Sequence, residues 1–267
     1  MAWLSNLIAS LAIAGLVSSP ARAEDLPVDL ELVLAVDVSR SMTPHEFEIQ
    51  RRGYAEALVS NEVLTAIAQG GWGRIALTLM EWGGTGLQNT LIGWTLISNR
   101  EEAQAVANRL MAAPVSSLRY TSISGAIEYA MFQFPGNGYA GLRRVIDVSG
   151  DGPNNSGRPV VEARDEAVSD GVIINGLPLM TREGSFLRWD IEDLDVYYKE
   201  CVIGGTGSFV IPVLDWAEFP DAVRRKLVLE IADLAPRQPP KPLLRPAQGY
   251  DCLKGEKTLL ELFGDRY

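Results

Sequence analysis

Asp37, Ser39 and Ser41 stand at alternate positions of one short stretch, Asp37-Val38-Ser39-Arg40-Ser41. Two further stretches carry side chains of the same chemistry: Thr121-Ser122-Ile123-Ser124-Gly125 and Ser149-Gly150-Asp151-Gly152. Asp37, Ser39, Ser41, Thr121 and Asp151 together offer three hydroxyls and two carboxylates, the oxygen-only donor set that a hard cation prefers. Mg²⁺ is the expected occupant, with Mn²⁺ or Ca²⁺ as substitutes. A cation held directly by hydroxyls, with the carboxylates behind water, is poorly neutralised and readily takes a carboxylate from a partner as a further ligand. Each residue also has a plainer use. Ser39 or Ser41 could cap a following helix, Thr121 another, and Asp151-Gly152 could be a simple turn.

These side chains meet only if the elements that carry them bring them together. Leu30 to Val36 is an apolar run broken only by Glu31, the pattern of a strand buried on both faces. Thr43-Pro44 then opens a helix, with Thr43 as N-cap, Pro44 at the first helical position and Phe47, Tyr54 and Leu58 on the buried side. Strands are expected at Arg74 to Trp82, Thr90 to Ile97, Leu142 to Val148, Val172 to Leu177 and Ser208 to Leu214. Helices are expected at Arg100 to Met111, Ser122 to Phe134, Val160 to Ser169, Trp189 to Cys201 and Phe219 to Leu234. The alternation predicts an α/β fold: a doubly wound, mostly parallel sheet with helices on both faces. In such a sheet, sites form at the carboxyl ends of the strands where the strand order reverses. Asp37 and Asp151 share that edge if their strands are neighbours.

The pattern resembles the von Willebrand factor A domain, whose metal-ion-dependent adhesion site reads Asp-x-Ser-x-Ser, then Thr, then Asp. All five positions are filled here by Asp37, Ser39, Ser41, Thr121 and Asp151. The flanking strand Leu32-Val33-Leu34-Ala35-Val36 matches as well, and the resemblance runs from about Leu30 to Leu234. It is nearest in kind to the small, secreted, uncharacterised bacterial members of that superfamily. The resemblance implies a Rossmann-like fold and binding of a protein partner that supplies a carboxylate. Arg40, His45, Trp82 and Asn154 are candidates for the rim of such a site. Each has a plainer reading: Arg40 and His45 as solvent-facing residues, Trp82 as core packing and Asn154 as a turn former.

The formal net charge of -10, without an offsetting basic stripe, argues against nucleic acid as a partner. His45 is the only histidine, which nearly excludes histidine-rich metal sites and His-dependent catalytic triads that need a second imidazole. Residues 1–23 run apolar from Trp3 through Val17 and end in Ala21-Arg22-Ala23, the form of a secretory signal peptide with a small-x-small cleavage site. An uncleaved anchor is the rival, but the run falls short of the roughly 20 apolar residues a span needs. The expectation is export to the periplasm or the extracellular space, with no stable membrane insertion after cleavage. The domain then covers 24–235, and a proline-rich tail covers 236–267, with one short helix from Lys257 to Phe263. Cys201 and Cys252, the only cysteines, would form a disulfide in an oxidising compartment; the alternative is two unrelated thiols.

Three functions compete. The first is an exported module that holds a protein partner through a divalent cation. The second is a metal-dependent hydrolase of phosphate or sugar substrates, although no Gly-x-Ser-x-Gly, His-Glu-x-x-His or Gly-x-x-x-x-Gly-Lys motif occurs. The third is a scaffold whose cation only staples loops together.

Overall fold

The computed structural model describes residues 24–181, 191–234 and 249–264. The expected signal peptide, the start of the expected Trp189 helix and the proline-rich stretch 236–246 lie outside the described residues. The chain runs β1 (Leu26–Val28), β2 (Leu30–Asp37), α1 (Pro44–Leu58), α2 (Asn61–Ala68), β3 (Ile75–Trp82), β4 (Gln88–Ile97) and α3 (Arg100–Ala112). It continues with α4 (Ile123–Gln133), β5 (Tyr139–Gly141), β6 (Arg144–Gly150), α5 (Val160–Ser169), β7 (Val172–Pro178), α6 (Leu194–Tyr197), α7 (Phe219–Ile231) and α8 (Lys254–Phe263).

The main sheet has five strands in the order β4-β3-β2-β6-β7, parallel except for the antiparallel edge strand β4. Strand β2 is buried along its whole length and its side chains alternate between two cores. Leu30, Leu32, Leu34 and Val36 pack with α1, α2, α3 and α7, whereas Val33 and Ala35 pack with α4 and α5. Helices therefore cover both faces, which is why these central strands read as continuous apolar runs. Strand β2 lies between β3 and β6, so the chain reverses its direction of winding there. The loops after β2 and β6 open into one crevice.

Local chemistry fixes the helix starts. Thr43 Oγ1 accepts from Glu46 N at 3.3 Å and Glu46 Oε2 accepts from Thr43 N at 2.5 Å, a complete capping box. Asn99 caps α3 and Ser122, not Thr121, caps α4.

Several expectations need correction. Ser208 to Leu214 is not a strand; it touches β7 and its continuation only through single rungs, Gly176 with Val210 and Leu179 with Val213. Pro212 has no N–H to donate, and Phe209 N donates to the Asn175 side chain instead, so no ladder can extend. Strand β6 begins at Arg144 rather than Leu142, whose side chain is exposed. The segment before Cys201 is one short helical turn followed by a π-turn from Tyr198 to Val202. Helix α8 starts three residues earlier than Lys257. Helix α2 and the small parallel ladder between β1 and β5 are further elements that the sequence reading had not assigned. Among the described residues, no helix is long and apolar enough to cross a membrane.

Away from the crevice, the core holds an ionic cluster. Lys226 of α7 is 2.6 Å from Asp147 Oδ1 of β6 and pairs with Glu230 one turn on; all three are fully buried. Asn175 Nδ2 donates to Glu230 Oε1 at 2.9 Å.

Candidate metal centre

Backbone pairing lays the three loops side by side. Val38 N donates to Trp82 O at 3.0 Å, and Leu118 N donates to Val38 O at 2.9 Å, so the segment before Thr121 extends the sheet edge next to Ser39. Gly84 N then donates to Arg119 O at 2.7 Å and Ser122 N to Gly83 O at 2.8 Å. This close approach requires glycine. A Cβ at Gly83 would lie 2.5 Å from Leu118 Cβ, and one at Gly84 would lie 2.8 Å from Arg119 O. Gly83→Ala is accordingly expected to cost about 1–3 kcal/mol and to shift the Thr121 segment. Urea unfolding checks the cost, and an unchanged midpoint would contradict the packing. Tyr120, immediately before Thr121, holds a left-handed backbone with φ of 62°, an outlier for a bulky residue.

On this frame the five predicted residues converge at the carboxyl ends of β2 and β6. Ser39 Oγ and Ser41 Oγ are 2.8 Å apart, and Ser39 Oγ lies 3.5 Å from Asp151 Oδ1. Asp37 is fully buried; its Oδ1 accepts from Ser39 N at 2.7 Å, and its Oδ2 has no hydrogen-bond partner among the described residues. Thr121 is bound reciprocally to Asn155. Its N donates to Asn155 Oδ1 at 2.9 Å, and its carbonyl accepts from Asn155 N at 2.8 Å. Its Oγ1 faces Gly152, where a Cβ would stand 3.7 Å away. The plainer uses of the hydroxyls are not taken up, since Thr43 and Ser122 do the capping.

The electrostatics of the site disfavour the charged form of Asp37. Burial raises the Asp37 carboxyl well above its ordinary pKa, and the neighbouring Asp151 charge raises it further. Gly150 leaves room for this buried polar cluster: a Cβ there would meet Asp37 Oδ2 at 2.9 Å, Tyr198 OH at 2.9 Å and the Trp82 ring at 3.1 Å. Among the described residues, no group of three or more His, Cys, Asp or Glu side chains is placed to hold a metal. Any cation here must therefore rely on hydroxyls together with two carboxylates. The donor set fits that demand, because the buried Asp37 Oδ2 lacks a hydrogen-bond partner among the described residues and the two serine hydroxyls face one spot.

The rim candidates separate into two pairs. Arg40 and His45 are exposed, Arg40 at the bend between the serines and His45 in the first turn of α1. Trp82 and Asn154 are fully buried and cannot form a rim. Trp82 pairs in register with Asp37 and forms the floor beneath it. Asn154 braces the loop: its Oδ1 accepts from Ser124 N at 3.0 Å and its Nδ2 donates to Arg158 O at 3.1 Å. Asn155 and Tyr198 also border the site. Asn155 was legible only as a turn residue, and nothing in the sequence tied Tyr198 to Asp37. Cys201 and Cys252 are joined in a disulfide, with Cα atoms 5.6 Å apart.

A family described as "Protein of unknown function (DUF1194)" matches residues 27–235. A search of curated proteins returned no match. Among solved structures, the proximal thread matrix protein 1 of the mussel byssus aligns at TM-score 0.57 and 15% identity, over 79% of this chain and 49% of that one. Another structure of it, described as having a zinc-occupied MIDAS motif, aligns at TM-score 0.54 and 14% identity, with the same coverage. The von Willebrand factor type A protein from Catenulispora acidiphila aligns at 0.54 and 13% identity, over 76% of this chain and 43% of that one. The pilus adhesin SpaC from Lactobacillus rhamnosus GG aligns at 0.55 and 14% identity, over 79% and 31%. The chain thus spans less than half the length of these proteins, and at such identities the likeness is one of fold. The fold is that of a von Willebrand factor A-like domain.

Proposed function

The chain belongs to the DUF1194 family, its match covering residues 27–235, and from that premise we propose that it is an exported binding module that holds a protein partner through a divalent cation. The observation that carries this reading is the pairing of Ser39 and Ser41 hydroxyls, 2.8 Å apart and free of capping duty, beside a buried Asp37 whose Oδ2 has no hydrogen-bond partner among the described residues. Ser39, Ser41 and Thr121 would hold the cation with their hydroxyls, and Asp37 and Asp151 would balance its charge. When bound, the ion supplies a Lewis-acidic position that accepts a carboxylate from the partner. Mg²⁺ is the proposed occupant, given hard oxygen donors.

The protein's own residues do the rest. Asp37 fixes the first loop by accepting from Ser39 N, Asn155 fixes Thr121, and the glycines at 83 and 84 allow the loops to close. Arg40, exposed and without an ion pair among the described residues, suits an acidic partner at the rim. The Cys201–Cys252 disulfide and the apolar run of residues 1–23 support export to an oxidising compartment, the periplasm or beyond.

Titration of the purified protein with Mn²⁺ or Mg²⁺ tests the reading. Ser39→Ala combined with Ser41→Ala is expected to lose cation affinity by more than about a hundredfold, the upper end of what changes around a metal's ligands cost. The hydroxyl pair itself is worth about 1 kcal/mol of stability, so the double variant should still fold. Unchanged affinity in that variant would overturn the site assignment. Turnover of phosphoesters by the wild type, lost in Asp151→Ala, would instead establish the hydrolase.

A further inference from the structure

Helix α8 and the residues leading into it sit against the loop that carries Asp151. A Cβ at Gly255 would lie 2.1 Å from Asn154 O, so the helix backbone presses directly on that loop. Glu256 Oε1 accepts from Asn154 Nδ2 at 2.8 Å. Asn154 is fully buried and lies three positions after Asp151. Its Oδ1 accepts from Ser124 N in the first turn of α4, the helix that follows Thr121. Its backbone N donates to Tyr197 OH at 3.1 Å. One amide side chain therefore ties the Asp151 loop, the Thr121 loop and the C-terminal segment together.

The disulfide is the covalent attachment of that segment, and Tyr250 adds an edge contact with the Tyr197 ring at 6.2 Å. Its further polar anchors among the described residues are Lys254 Nζ and Tyr250 OH on Asp193, at 2.6 and 2.9 Å. The Lys254–Asp193 pair is more than a third exposed on both sides and contributes little. Helix α8 has ten residues, below the roughly 12–15 at which isolated helices become stable in water. Cys252, two residues before the helix and partly exposed, is bonded to the fully buried Cys201.

We infer that residues 249–263 are a disulfide-held clamp on the metal loops, with Asn154 and Glu256 as positioning residues, and that cation affinity follows the redox state of Cys201–Cys252. This rests on the cation-binding reading of the same site. Reduction by a dithiol would break the S–S bond, leave two thiols on the chain and convert the reductant to its own disulfide. The freed segment would then no longer hold Asn154 against Ser124.

The test compares the oxidised full chain with Cys201→Ala/Cys252→Ala, Glu256→Ala and Glu256→Gln. Two quantities are read: Mn²⁺ affinity by calorimetry, and hydrogen exchange of the Asn154 to Arg158 amides without metal. The double cysteine variant and Glu256→Ala are expected to bind Mn²⁺ about tenfold more weakly, the scale of lost outer-shell support. Their loop amides should exchange faster, while Glu256→Gln, which keeps an acceptor oxygen, stays close to wild type. Glu256→Ala retains the disulfide, so it decides the matter even if the cysteine variant folds poorly. Wild-type affinity and exchange in both variants would overturn the clamp and leave the cation site standing. No Mn²⁺ binding by the oxidised wild type would overturn the cation reading and, with it, the redox linkage.

Discussion

Asp37→Asn is expected to make the cation-free protein more stable and, at the same time, to remove its response to Mg²⁺ or Mn²⁺. The wild-type carboxylate is buried, accepts from Ser39 N at Oδ1, is also hydrogen-bonded by the Asp151 backbone, and faces the charge of Asp151. A buried charge with no counter-charge is costly, and a neutral amide of the same shape keeps Oδ1 in place. The Asn Nδ2 would occupy the position of Oδ2, against Gly150 and beside the Tyr198 hydroxyl, which has no partner among the described residues. The gain in the absence of cation should be about 1–3 kcal/mol. In the wild type, free cation at roughly a hundred times Kd should add about 2.7 kcal/mol by mass action. In Asp37→Asn that increment should vanish, because one of the two balancing charges is gone. Urea unfolding with a chelator and with excess Mn²⁺ separates the two effects. A variant less stable than wild type in chelator, or one that keeps the Mn²⁺ increment, would contradict the assignment of Asp37 to a cation site.

The motif was legible because Asp37, Ser39, Ser41, Thr121 and Asp151 stand in order on the expected elements, not through any one stretch alone. A buried strand ending in Asp, with hydroxyls at alternate positions after it, conflicts with ordinary strand chemistry unless something offsets the charge. The β2, α1, β3 and α4 assignments followed from periodicity and caps, and the structure placed their ends within a residue or two. The sequence was less informative where long-range contacts decide. Trp82, at the site edge of its strand, offered both a rim role and core packing; with Asp37 as register partner and its ring against Gly150, it is core. Asn154 looked like a turn residue, and one of its buried partners is Glu256 of α8, about a hundred residues along the chain. The Ser208 to Leu214 run has strand composition, yet Pro212 and the Asn175 side chain prevent its ladder. Lys226 could not be foreseen as buried, since Phe219, Val223, Leu227 and Ile231 already supply an apolar stripe on α7.

Lys226→Met is expected to be destabilising by about 3–5 kcal/mol near pH 8 and by much less near pH 5. One ammonium serves two carboxyls, Asp147 and Glu230, in a fully buried cluster. The other groups facing it are Asn175, which donates to Glu230, the Phe209 ring 5.6 Å from Lys226 Nζ, and Tyr54, whose hydroxyl donates to Ser149. Arg143 reaches Glu230 only at its backbone carbonyl. With one cation for two acids, burial together with Asp147 pushes Glu230 up to about 7 from 4.5, against the opposing pull of Lys226. Burial raises Asp147 as well. Between about pH 4.5 and 7 the folded state then holds a proton that the unfolded state releases, so the contribution of Glu230 to stability falls as pH rises, by about 3 kcal/mol across the window. Removing the ammonium leaves both carboxyls without a counter-charge, which extends the loss to higher pH. Protonation at low pH relieves it. Glu230→Gln in the wild-type background should flatten the stability slope across the window, and adding it to Lys226→Met should recover part of the loss near pH 8. Urea midpoints of the three variants at both pH values measure this. A Lys226→Met loss of equal size at both would mean that the side chain contributes packing alone.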